Sequence, residues 1–91
     1  SRYGRIEQEE VSLSDRMDDL IRFGKEHSAF SFREYISGGG SKTYVIVSFL
    51  AVLELMKSGM IRISQNEVFG EIEIEMTGQG GLPEEISFEG V

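Results

Sequence analysis

Cysteine and tryptophan are absent from this 91-residue chain, proline and histidine occur once each, and basic residues are outnumbered 16 to 9 by acidic ones. Without cysteine there is neither a disulfide framework nor a thiolate metal site, and a reducing compartment such as the cytoplasm is the expected setting. The net charge of −7 repels phosphate backbones and anionic headgroups, which makes nucleic acid and membrane surfaces poor partners. The longest apolar run, Val45 to Val47 and then Phe49 to Leu53 after Ser48, is too short to span a bilayer, and the N-terminus lacks the apolar stretch of a signal peptide. A soluble chain is expected. Its length allows one domain, which at this size buries only about 60 to 65 % of its unfolded surface and leaves little room for a deep active-site pocket.

Along the chain, residues 1–10 are polar and read as the end of a linker, residues 11–76 carry the folding signals, and residues 77–91, punctuated by Gly78, Gly80, Gly81 and Pro83, read as a flexible tail. Ser14 stands where a cap is needed and Met17, Leu20 and Ile21 recur at helical spacing, which predicts a helix over 14–26. Ser31 can cap a second, short helix bearing Phe32, Tyr35 and Ile36. The glycine run 38–40 is a loop. From Lys42 to Ser58, closed by Gly59, the sequence predicts a third helix that is apolar almost all the way round. Val45, Phe49, Val52, Leu53 and Met56 form one stripe, of which Val45, Phe49, Val52 and Met56 are expected to face the core; Ile46 and Leu50 extend it sideways, and Tyr44, Ala51 and Leu55 occupy a third side. Ile61 and Ile63, then Ile72, Ile74 and Met76, alternate with polar residues at the period of half-buried strands, predicting a hairpin with Glu71, Glu73 and Glu75 toward water. Helix, short strand, two helices and an antiparallel wing of two or three strands make an α+β fold of the winged-helix type.

Motifs that suggest chemistry fail on detail. The segment from Gly38 to Thr43 resembles a phosphate loop, but Ser41 and Ile36 stand where its glycines are required. Gly78 to Gly81 resembles a dinucleotide fingerprint, yet Pro83 occupies the third glycine position. His27 has no evident serine or carboxylate partner arrangement, and the three glutamates read as a solvated strand face. No catalytic residue, cofactor or metal site is expected, and the chain reads as a binding module, not an enzyme. The anomaly is the third helix, whose apolar circumference exceeds what two other helices and a hairpin can cover, and exposed apolar patches usually mark docking sites.

The third helix and hairpin, with Phe49, Leu50, Leu53 and Leu55, then Gln65, Glu67, Phe69, Gly70, Glu71 and Ile72, resemble the C-terminal signature of the bacterial kleisins, the segregation and condensation protein A family. The likeness covers about residues 6 to 76; Val68 departs from it, standing where the pattern has proline. The resemblance implies a cytoplasmic, nucleoid-associated domain that binds the ATPase head of an SMC protein. It also implies a ScpB-like accessory subunit, bound through another part of the kleisin. The expected partner surface is Ile46, Leu50, Leu53 and Phe69. A DNA-binding winged-helix regulator is the rival.

The two are separable by charge. Residues 1–44 hold 7 basic and 8 acidic groups and residues 45–91 hold 2 and 8, so the half with the third helix has no cationic face to release counterions. An anisotropy titration with duplex DNA at about 100 mM salt should show no submicromolar binding; such binding would favour the regulator.

Overall fold

A computed structural model describes residues 10–37 and 39–79. Helix α1 spans Leu13–His27; Ser12, not Ser14, is its N-cap, with a side chain that accepts a hydrogen bond from the Asp15 N–H at 3.1 Å. Strand β1, Ala29–Ser31, leads directly into α2, Phe32–Ile36, where Ser31 and Glu34 form the reciprocal bonds of a capping box. Helix α3, Lys42–Lys57, begins at the Ser41 cap. Its end is a Schellman motif: Gly59 has φ +85, its N–H bonds the Met56 carbonyl, and the Met60 N–H bonds the Leu55 carbonyl. Strands β2, Ile61–Gln65, and β3, Ile72–Met76, complete the fold.

The sheet has the order β1-β3-β2 and is antiparallel throughout, with Phe30 opposite Ile74 and Ile63 opposite Ile74 on the other side. The sheet thus has three strands, within the expected two or three, and its glutamate-bearing strand is the central one. Glu71, Glu73 and Glu75 lie on its exposed face, where Glu71 pairs with Arg33 and Glu75 with Arg62. Ile61 and Ile74 face inward beneath α1 and α3. Gly24 permits close approach of α1 to β3: a Cβ at that position would lie 2.2 Å from Met76 Sδ. Thr77 fastens the end of β3 to the turn after α3, its N–H bonding the Met60 carbonyl and its hydroxyl the Gly59 carbonyl. Of the expected 77–91 tail, the part beyond Gln79 lies outside the described residues, as does the 1–9 part of the expected linker.

The core contains Met17, Leu20, Phe30, Tyr35, Ala51, Val52, Leu55, Ile61 and Ile74. At its side lies a buried polar cluster. Arg16, 6 % exposed, donates from Nε to Ser48 Oγ at 2.8 Å and from Nη1 to Asp19 at 2.5 Å. Its guanidinium stands 4.7 Å from the Tyr35 ring centre and 4.3 Å from that of Tyr44. The Tyr35 hydroxyl donates to the Arg16 carbonyl at 2.7 Å. An ion so buried is tolerable only when its donors are satisfied, and both aromatic faces add cation–π attraction.

Burial raises the Tyr35 pKa to about 12, and the Arg16 charge opposes the shift without cancelling it. The phenolate is thus disfavoured in the folded state. Tyr35 contributes stability that is fully present below about pH 10, the unfolded value, and is lost as pH rises through about 12. Urea titrations between pH 9 and 12 should show stability falling with pH, and Tyr35→Phe should flatten part of that fall; an unchanged slope would show that Tyr35 does not control it.

Candidate functional site

Helix α3 has two apolar faces. The inner one, Ser48, Ala51, Val52 and Leu55, is completely buried. On the opposite side Ile46, Phe49, Leu50 and Met56 are 52 %, 37 %, 45 % and 40 % exposed, and Leu53 between them is half-buried. The spacing of 46, 49, 50, 53 and 56 is that of one helical stripe. This corrects the expected orientation. Phe49 and Met56, assigned to the core, lie on the surface, whereas Ala51 and Leu55, placed on a third side, are the core. The physical reason is Ser48, which turns inward to accept from Arg16 and brings its i+3, i+4 and i+7 neighbours with it. A lone serine within the apolar run from Val45 to Leu53, together with an arginine four residues before Leu20 on the apolar stripe of α1, was the available signal.

The wing, between β2 and β3, adds a second apolar group. The Gly70 N–H bonds the Glu67 carbonyl at 2.9 Å, closing a four-residue turn with Val68 and Phe69 at its centre, and Gln65 Nε2 bonds the Gly70 carbonyl at 2.8 Å. Phe69 has φ +65, in the position where such turns favour glycine or asparagine. Val68 and Phe69 are 80 % and 98 % exposed. An aromatic side chain held in a left-handed conformation and almost wholly in water serves no packing purpose within the domain. Phe32 links the two apolar groups: its ring meets Phe49 edge-on at 5.8 Å, and it shares a cleft with Phe69. Of the sequence-derived site residues, Ile46, Leu50 and Phe69 are exposed and Leu53 is partly covered. Phe49, Met56 and Val68 are exposed apolar neighbours that were not included.

Chemistry is poorly served elsewhere. His27 is exposed, stacked on Phe23 at 3.9 Å, with Nδ1 2.9 Å from the Phe23 carbonyl oxygen. Among the described residues no group of three or more His, Cys, Asp or Glu could hold a metal ion, and no helix is long and apolar enough to cross a membrane.

The fold defines the class: a winged-helix domain, with an apolar outer face on its third helix where DNA-reading members of such folds carry polar and basic side chains. A sequence profile of the family described as segregation and condensation protein ScpA matches residues 2–77, and the chain belongs to that family. It is 33 % identical over 72 residues to segregation and condensation protein A of Halothermothrix orenii, covering 77 % of this chain. The protein of that name from Brevibacillus brevis is 33 % identical over 76 residues, 84 % of this chain, and that from Listeria monocytogenes 32 % over 78 residues, 82 % of it. The match spans 30 % of each of these relatives.

The wing turn can be tested by itself. Phe69→Gly relieves a left-handed backbone worth about 1 to 2 kcal/mol against a glycine entropy cost of about 0.5 to 1, so stability in urea should hold or rise slightly. Val68→Pro, at the turn position that favours proline, should add about 0.4 to 1 kcal/mol. Loss of more than about 1 kcal/mol in Phe69→Gly would show that the ring packs on the domain.

Proposed function

We propose that this domain docks on the ATPase head of an SMC protein, as part of a kleisin acting in chromosome segregation and condensation. The docking surface is the outer face of α3, with Ile46, Leu50 and Leu53, extended by Phe69 at the wing. The observation that carries the proposal is the exposed apolar stripe from Ile46 to Met56 on a helix whose opposite side already fills the core. The domain performs no chemistry itself; its contribution is to close an SMC–kleisin ring. Parts of the kleisin that this chain does not span would grip the second SMC subunit and a ScpB-like accessory protein.

The charge distribution supports a protein partner over DNA. On α3 the only cations are Lys42 and Lys57, at its two ends, and Lys57 is paired with Glu54 at 2.9 Å. An apolar interface needs no counterions, and burying one leucine-sized side chain contributes about 1.5 to 3 kcal/mol, roughly 10- to 150-fold in affinity.

Leu50→Lys should therefore abolish binding to the head of the SMC protein from the same genome while leaving the circular dichroism spectrum unchanged. Val52→Lys, at a position with no exposure, should unfold the domain. Calorimetry with the isolated head gives the first result; undiminished binding by folded Leu50→Lys would refute the docking face.

A further inference from the structure

The chain leaves β3 at the C-terminal end of α3. Thr77 is fastened there, its N–H on the Met60 carbonyl and its hydroxyl on the Gly59 carbonyl, just past Met56, the last member of the exposed apolar stripe. Residues 80–91 follow, with Leu82, Ile86, Phe88 and Val91 as apolar residues, Glu84, Glu85 and Glu89 as acids, and no cation. Ile86 and Phe88 stand two apart, the spacing that puts both side chains on one side of an extended segment. From Thr77 to Phe88 such a segment reaches about 36 Å, at ~3.3 Å per residue. The stripe from Met56 back to Ile46 is about 15 Å long, at ~1.5 Å per helical residue. The reach therefore covers the stripe and leaves residues for the reversal of direction.

Charge follows the same order. Glu84 and Glu85 fall at the Lys57 end of α3, the apolar pair comes next, and Glu89 falls at the far end. There the first turn of α3 holds Lys42 and no acidic residue, at the positive pole of the helix dipole. A segment tethered this closely is present at an effective concentration on the order of millimolar, so even a weak apolar contact is well populated.

We infer that residues 82–89 of this chain are an occupant of the outer face of α3, laid along it from Met56 toward Lys42 with Ile86 and Phe88 over Leu50 and Ile46. The match to the family profile ends at residue 77, so the contact belongs to residues outside that match. A partner using the same face must displace the segment, which makes it an internal competitor.

The test is methyl NMR on the full chain, with a nitroxide attached through Gly90→Cys, the only thiol in a chain without cysteine. The methyl signals of Ile46 and Leu50 should broaden, while that of Ala29, across the sheet from the helices beside Glu75, should not. Ile86→Ser combined with Phe88→Ser changes nothing within the described fold. It should abolish the broadening and raise the fluorescence of an added anilinonaphthalene dye at least about twofold as apolar surface is uncovered. Equal broadening at Ile46, Leu50 and Ala29, or none at all, would overturn the inference, as would broadening that persists in the serine variant. Broadening of isotope-labelled chains by spin-labelled copies mixed with them would make a second copy the occupant and also overturn it. No SMC head is involved in these measurements, so their outcome is separate from that of the docking proposed above.

Discussion

Arg16 is the constraint on which the arrangement of the three helices depends. A guanidinium in the first turns of α1 that is 6 % exposed must find its partners inside the domain, and it does so on α1, α2 and α3 together. Asp19 neutralises it from its own helix, Ser48 accepts from it, and the rings of Tyr35 and Tyr44 enclose it. Leaving a buried charge without one of these partners costs more than the pair contributes when complete, so the cluster fixes geometry more strongly than it adds stability. The hydrogen bond from Tyr35 to the Arg16 carbonyl then sets where the short helix α2, with five residues and little intrinsic stability, sits against α1.

That constraint also decides which side of α3 meets water. A helix apolar on every side has no polar stripe to orient it, and hydrophobic burial alone is nearly indifferent to its rotation. Hydrogen bonding is not indifferent. Once Ser48 must face Arg16, Ala51, Val52 and Leu55 fall into the core, and Phe49 and Met56 turn outward. Much of the apolar character left over is the stripe proposed to meet a partner.

Most of the fold could be read in the sequence because its signals are local. The Ser31 cap, the Gly59 stop and the alternation of Ile72, Ile74 and Met76 each favour a particular backbone whatever surrounds them. The three-stranded sheet was less legible, because β1 is three residues long and pairs only with a strand more than forty residues away. The candidate site was legible in part. Ile46 and Leu50 follow from counting apolar residues against the surface available to bury them, but Phe49 does not, since its exposure depends on a rotation set by Arg16. Phe69 was found through family resemblance, and its left-handed backbone has no signature in the residue type; phenylalanine is a poor choice for that conformation.

The short strand β1 has a consequence for recognition. Two-stranded ribbons are marginal in water, and a wing built as one would sample many positions relative to α3. Here β3 is held on both sides, and its last residue donates to the Ser28 carbonyl at the end of α1. The strands that carry the wing and the helix beside them therefore form one preorganised body. Much of the ordering entropy that a mobile wing would lose on association has already been lost in folding, and a partner that spans α3 and the wing tip meets a surface whose shape exists before the encounter.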